Sequence, residues 1–225
     1  LAEKAVSMNM PAVAMTDHGN IFGAVDFYTA VKKAGIKPII GIETYVAKTS
    51  RFDKEGKQGG HAHLVLLCRD DQGYKNLVKL SSAGFLEGFY YKPRIDKEIL
   101  AQHAGGLIGS SACLKGEIAF QLREGNYNAA LKEADDYRQI FGPGNFYLEL
   151  MDHGIPEQKT VNEGLVKISK ELGLALVATN DVHYLEQSQA KAHDALLCIQ
   201  TQSFLSDENR MRMASDQFYF KSPQE

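Results

Sequence analysis

Short apolar runs rich in β-branched residues alternate along this chain with longer amphipathic stretches. Polar residues, glycine or proline bound each run, as they bound buried strands. The predicted strands cover residues 12–16, 38–46, 63–68, 107–110, 146–150 and 174–179. Alternation of strands and helices is typical of βαβ units, so it predicts an α/β fold with helices packed outside a parallel sheet.

The amphipathic stretches carry their apolar residues at helical spacing. One stripe consists of Val161, Leu165, Ile168 and Leu172, and a second of Ala130, Ala134, Tyr137 and Phe141. Residues three and four positions apart share one face of a helix, so both stripes are predicted to pack on the core. Residues 48–60 (KTSRFDKEGKQGG) follow neither pattern, and we predict a long mobile loop that faces solvent.

Composition and charge narrow the classes of protein. The 225 residues are 44% hydrophobic and contain no linker, so we expect a single domain over 1–225. The net charge of −3 does not suggest the basic face that holds a polyanion, so any contact with nucleic acid must be local, metal-assisted or made by other parts of a longer protein.

The chain has no apolar run of about 18 residues and no secretory signal, which predicts a cytoplasmic protein without membrane contact. Its three cysteines include no CxxC pair, so reduced thiols are expected.

Metal-binding residue types follow four of the apolar runs. His18 follows the first, Glu43 comes directly after IIGI in the second, Cys113 follows the fourth, and Asp181 and His183 follow the last. In a closed parallel barrel every strand ends at the same face, so these residues would meet in one site. Imidazole, carboxylate and thiolate together suit zinc, manganese or iron better than calcium.

More than four candidate ligands indicate more than one ion. Two or three neighbouring divalent ions can clamp the attacking and leaving oxygens of a phosphoester, so the residues favour phosphoester hydrolysis. Asp181 and His183, one residue apart in extended chain, would point the same way. Asp17 would point away from its neighbour His18, so we expect it to orient a nearby group by a hydrogen bond.

Each of these residues also has an ordinary structural interpretation. A polar turn after a strand explains the Asp181–His183 pair. A loop histidine before a helix capped by Asn20 explains His18 equally well. Cys113 fits a buried, inert thiol. His63 begins its apolar run instead of ending it, and its spacing does not place it in the site.

Several longer segments are similar to a known family. They are TDHGNIFGAVDFY, GIKPIIGIETYV, HLVLLCRDDQGYKNLVKLSS, YYKPRIDKEIL, GLIGSSACLKGEIA, MDHGIPEQKTVNEGL and ATNDVHYLEQSQAKAHDALLCIQT. These segments resemble the PHP (polymerase and histidinol phosphatase) domain of bacterial replicative DNA polymerase III alpha subunits, from about residue 10 to the end. KPRID and HGIPEQ are typical of the polymerase branch and not of free-standing PHP phosphatases.

The resemblance implies a distorted (β/α)7 TIM-like barrel with up to three divalent metal ions. The implied ligands are His18, Glu43, His63, Cys113, Asp181 and His183, and no catalytic residue is implied beyond them. Magnesium is implied only for the polymerase site, outside this chain. The implied partners are DNA, the remaining polymerase domains, the sliding clamp and the clamp loader.

The family's opening H-x-H motif and a following Asp precede the point where this chain begins. We therefore expect a piece of a longer protein that lacks the first barrel strand and hydrolyses little by itself. In some alpha subunits the PHP domain is a 3′–5′ proofreading exonuclease, and in others it is an inactive scaffold for the polymerase core. The six metal-competent positions favour the active class, and the scaffold is the alternative.

The remaining candidates have weaker signals. Arg94 in KPRID and His153 in MDHG are candidate phosphate contacts, although a surface salt bridge explains Arg94 better. We predict that His61 lies in a loop, that His103 ends a helix and that His193 lies within one.

Overall fold

The computed structural model describes residues 1–55 and 60–225, in which helices pack against one seven-stranded sheet. The described strands are β1 (Ala12–Met15), β2 (Lys37–Ala47), β3 (His61–Cys68), β4 (Arg94–Ile95), β5 (Leu107–Ser110), β6 (Phe146–Leu150) and β7 (Ala175–Ala178). The described α-helices are α1 (Ala2–Ser7), α2 (Ala24–Lys33), α3 (Asp71–Leu86), α4 (Lys97–His103), α5 (Glu117–Arg123), α6 (Tyr127–Phe141), α7 (Pro156–Leu172) and α8 (Ala190–Thr201). All six predicted strands are present, and β4 is an additional short one.

The sheet has the order β1-β2-β3-β5-β6-β7, and β4 pairs with the C-terminal end of β2. The predicted α/β class is confirmed, but the expectation of an all-parallel sheet is wrong for β3, which runs antiparallel to both β2 and β5. A parallel pair needs a crossover, usually a helix, and the described residues between β2 and β3 contain none. Of the predicted loop over 48–60, residues 56–59 lie outside the described part, and the other residues lie outside strands and helices.

The sheet is a curled half-barrel. β1 and β7 lie at its two ends, and no pairing joins them in the described part of the chain. An open, curled sheet of this kind is consistent with a distorted TIM-like barrel. Within residues 1–55 and 60–225, no helix is long and apolar enough to cross a membrane.

The main core lies between the sheet and helices α3 to α7. Its largest fully buried side chains include Leu64 and Leu66 of β3, Leu77 and Leu80 of α3, and Leu165 of α7. Burying a leucine side chain fully contributes about 1.5–3 kcal/mol. The two predicted stripes do face this core, and only the terminal residue at 172 is partly exposed. The core therefore fixes the strands whose ends carry the polar residues.

Candidate metal centre

Polar side chains collect at one edge of the sheet, where the parallel strands end and β3 begins. His18 follows β1 and lies beside Glu43 of β2, because the Gly19 amide donates to the Glu43 carbonyl oxygen at 2.9 Å. His63 lies near the start of β3. Since β3 is antiparallel, its first residues occupy the same edge as the last residues of its parallel neighbours. His18, Glu43 and His63 thus meet at one place.

Glu43 lies between two imidazoles. Its Oε1 is 2.7 Å from His63 Nδ1, and its Oε2 is 3.1 Å from His18 Nδ1. One potential ligand atom of each residue lies within 4.8 Å of the others, a spacing that could hold a metal ion. Glu43 and His63 are buried, whereas the His18 side chain is 44% exposed, so the cluster opens toward His18.

Cys113 joins this cluster from the loop after β5. Its Sγ lies 3.7 Å from Glu43 Oε1 and 3.8 Å from His63 Nδ1. The preceding Ala112 has a φ of 58°, so a tight turn brings the cysteine back to the sheet edge. Burial and then the charge of Glu43 raise the pKa of the Cys113 thiol well above its ordinary value. Without a cation the residue is therefore a neutral thiol.

Asp181 and His183 approach from the segment after β7. The rings of His183 and His18 have their centroids 6.0 Å apart. Nδ1 of His183 lies 2.7 Å from the backbone carbonyl of Asp181, to which it donates, so Nε2 is the nitrogen left with a lone pair. Burial raises the pKa of Asp181, and so does the charge of Glu43. The carboxylates of Asp181 and Glu43 therefore share one electrostatic environment.

Electrostatics in the cluster favours a cation. Burial opposes the ionisation of Glu43, but the hydrogen bond from His63 and the charges of His18 and His63 outweigh it, so the pKa of Glu43 is lowered. Burial also lowers the pKa of His18, which favours a neutral ring able to bind a metal. Nitrogen, oxygen and sulfur donors together suit divalent ions such as zinc, manganese or iron. The residues fit such ions, and the role of each as a ligand stays a prediction.

Glu149 on β6 is a buried acid that the sequence analysis missed. Its Oε1 accepts a hydrogen bond from the Ser110 hydroxyl at 2.7 Å, and its Oε2 has no hydrogen-bond partner in the described structure. Burial and the charges of Glu43 and Asp181 raise the pKa of Glu149 to about 7, against the effect of the Ser110 hydrogen bond. A charged residue within the apolar strand FYLEL was the available signal.

The structure does not support the expected hydrogen bond from the Asp17 side chain. This side chain is exposed, and its carboxylate has no hydrogen-bond or ion-pair partner within residues 1–55 and 60–225. The backbone of Asp17 has the orienting role instead, because its carbonyl accepts the Glu43 amide at 3.0 Å.

Both candidate phosphate contacts have buried side chains that make other hydrogen bonds, and their contact with phosphate stays a prediction. Arg94 is 3% exposed, and its guanidinium donates to the carbonyls of Gly88 (3.1 Å) and Asp53 (2.6 Å). His153 is 1% exposed, and its two ring nitrogens contact the Gln158 side chain and a backbone carbonyl.

The other histidines fall near the predicted elements, with one correction. His61 is not a loop residue: it begins β3, and its ring packs edge-on against Tyr45 with centroids 4.8 Å apart. His103 ends α4 and His193 lies within α8, as predicted. The ring of His193 lies 5.4 Å from that of His183, and its Nδ1 is buried with no partner among the described residues.

The chain is similar to known proteins over its whole length. The PHP domain family model matches residues 1–153. DNA polymerase III subunit alpha of Saccharopolyspora erythraea is 47% identical over 246 residues, and that of Borreliella burgdorferi is 50% identical over 227 residues; each alignment covers 100% of this chain. The chain spans 21% and 20% of these two relatives. A solved structure of a candidate metal-dependent phosphoesterase from Bifidobacterium adolescentis covers 80% of each chain at 12% identity, with a TM-score of 0.45.

Proposed function

The chain belongs to the PHP domain family, and we propose that it is the PHP domain of a bacterial DNA polymerase III alpha subunit with a metal-dependent 3′–5′ exonuclease site. In this role it would remove wrongly added nucleotides during DNA replication in the cytoplasm. One observation carries the proposal: six donor side chains, scattered over the sequence, converge at one edge of the sheet. They are His18, Glu43, His63, Cys113, Asp181 and His183.

Up to three divalent ions, zinc, manganese or iron, would supply a bound water of lowered pKa and positive charge beside the scissile phosphate. The chain's own residues hold the donors. Glu43 is fixed between His18 and His63, and His183 presents Nε2 because its Nδ1 is occupied. The partly exposed His18 marks the open side, where the 3′ end of a DNA strand would enter. DNA, the other polymerase domains, the sliding clamp and the clamp loader are the proposed partners.

The test uses the intact protein and the variants His18→Asn and Asp181→Asn. Both should lose Mn²⁺- or Zn²⁺-dependent release of nucleotides from the 3′ end of labelled single-stranded DNA, while primer extension continues. The matched control is His103→Asn, at the end of α4, which should keep both activities. The proposal fails if the two site variants shorten the DNA at the wild-type rate.

A scaffold role is the second candidate, and the hydrogen bonds of the site favour it. Glu43, His63 and Cys113 contact one another and so tie β2, β3 and the loop after β5 together. In this case the wild-type protein has no nuclease activity. Both site variants then lower the melting temperature and the polymerase activity together.

A further inference from the structure

The segment from Asn180 to His183 carries two of the six candidate ligands but belongs to no strand or helix. Asp181 has a φ of 42°, in the left-handed region that residues other than glycine rarely adopt. Such a conformation persists only where the surrounding structure holds it. The contacts around the segment therefore decide where the Asp181 carboxylate points.

His153 and Gln158 hold this segment from the side of α7. The Gln158 amide nitrogen donates to His153 Nδ1 at 2.8 Å, and its Oε1 accepts the His153 backbone amide, also at 2.8 Å. The backbone contact fixes which end of the Gln158 amide faces the ring, so Nδ1 must be the acceptor. The ring proton therefore lies on Nε2, which donates to the Asn180 carbonyl at 3.0 Å.

The Asn180 side chain holds the segment from the opposite side. Its Nδ2 donates to the carbonyls of Gln217 (2.9 Å) and Tyr219 (2.7 Å). Between these two residues, the Phe218 carbonyl accepts the His183 backbone amide at 2.8 Å. Residues 217–219 are thus fastened to both ends of the segment that carries Asp181.

Phe218 connects the two sides of this segment, because its ring contacts both His153 and His183. Its ring stacks on the His153 ring with centroids 4.1 Å apart and meets the His183 ring edge-on at 5.6 Å. The peptide on either side of Asp181 is then fixed, since the Asn180 carbonyl accepts from His153 and the Asp181 carbonyl accepts from His183 Nδ1. A change at His153 would reach both candidate ligands without touching either carboxylate or imidazole.

We propose that His153, Gln158 and Asn180 are positioning residues for the candidate metal centre, which hold the 180–183 segment so that Asp181 and His183 face His18. This inference rests on the proposed metal site. The three side chains touch no ion themselves. They set the direction of Asp181 and His183, as hydrogen-bond partners behind metal ligands do elsewhere.

The experiment measures Mn²⁺ affinity directly, by calorimetry, together with the melting temperature of the intact protein. His153→Phe keeps a ring against Phe218 but removes both ring nitrogens. Asn180→Ala removes the two hydrogen bonds to the carbonyls of Gln217 and Tyr219. Gln158→Met keeps the side-chain length and tests the same network from α7. Each should weaken Mn²⁺ binding about 10–100-fold.

The matched control is Asn76→Ala. Asn76 is also buried, and its Nδ2 also donates to a backbone carbonyl, that of Gly105 at 2.8 Å, but on α3. It should lower the melting temperature and leave Mn²⁺ affinity unchanged. The proposal is overturned if the folded variants bind Mn²⁺ as tightly as this control. Wild-type protein that takes up no Mn²⁺ or Zn²⁺ overturns the metal site and the positioning role together. If the variants bind Mn²⁺ more weakly but the wild-type protein has no nuclease activity, the positioning role is supported and only the exonuclease proposal fails.

Discussion

Replacing Glu149 by glutamine should remove much of the pH dependence of the metal-free fold. Burial and the charges of Glu43 and Asp181 raise the pKa of Glu149 from its ordinary 4.5 to about 7. The folded chain therefore keeps this proton up to about pH 7, whereas the unfolded chain releases it near pH 4.5. Between these values the folded state binds more protons, so each rise of one pH unit lowers the free energy of unfolding by about 1.4 kcal/mol.

Over the whole interval, the stability that is present below pH 4.5 falls by about 3 kcal/mol. Glutamine does not titrate, and its Oε1 can still accept the Ser110 hydroxyl, as Glu149 does at 2.7 Å. Its amide nitrogen would replace the oxygen that has no hydrogen-bond partner among the described residues, a change whose cost is the same at every pH. Wild type and variant are therefore compared by the slope of the free energy of unfolding against pH, and not by its absolute value.

Urea unfolding in EDTA, at pH values from about 4 to 8, measures these slopes. From the low to the high end of this range, the free energy of unfolding of Glu149→Gln should rise by about 3 kcal/mol relative to that of wild type. Glu163→Gln, an exposed change on α7, is the control and should parallel wild type. Saturating Mn²⁺ should shrink the difference, because a nearby cation favours the ionised Glu149. Parallel curves for wild type and Glu149→Gln would refute the reasoning.

Three further predictions concern metal binding and the packing that supports the site. Glu43→Gln keeps the shape of the side chain and should weaken Mn²⁺ binding by at least about 10-fold in calorimetry, and unchanged affinity would contradict its role. Asp96→Ala removes the cap of α4, which accepts from the Ile99 amide at 3.1 Å. It also removes the 2.9 Å partner of the Arg51 guanidinium, which keeps its 2.6 Å contact with Glu87, so urea unfolding should show a loss of about 2–4 kcal/mol. Gly73→Ala would place a Cβ 1.9 Å from the carbonyl oxygen after α4, at residue 106, and should cost about 1–3 kcal/mol in the same assay; an unchanged midpoint would refute this packing.

Hydrophobic patterning was sufficient to predict six of the seven described strands and the core-facing stripes of α6 and α7. Runs such as 107–110 and 146–150 have the predicted ends because both are short, apolar and bounded by turn residues. Patterning could not reveal which single polar residues are buried. Arg94 and His153 lie in polar segments that look exposed, and only the folded chain supplies the carbonyls that bind them.

The position of His63 shows how strand direction limits what spacing can predict. The rule that ligands follow parallel strands selected His18, Cys113 and Asp181 as candidates, but it gave no reason to include His63, which begins its run. The wrong assumption was the direction of β3. A signal was present in the sequence, because the residues between β2 and β3 include a polar segment without a helical stripe, whereas a parallel pair is usually joined by a helix. An antiparallel β3 brings its first residues to the edge where its neighbours end, so His63 reaches Glu43 by the same geometry that brings the other candidate ligands there.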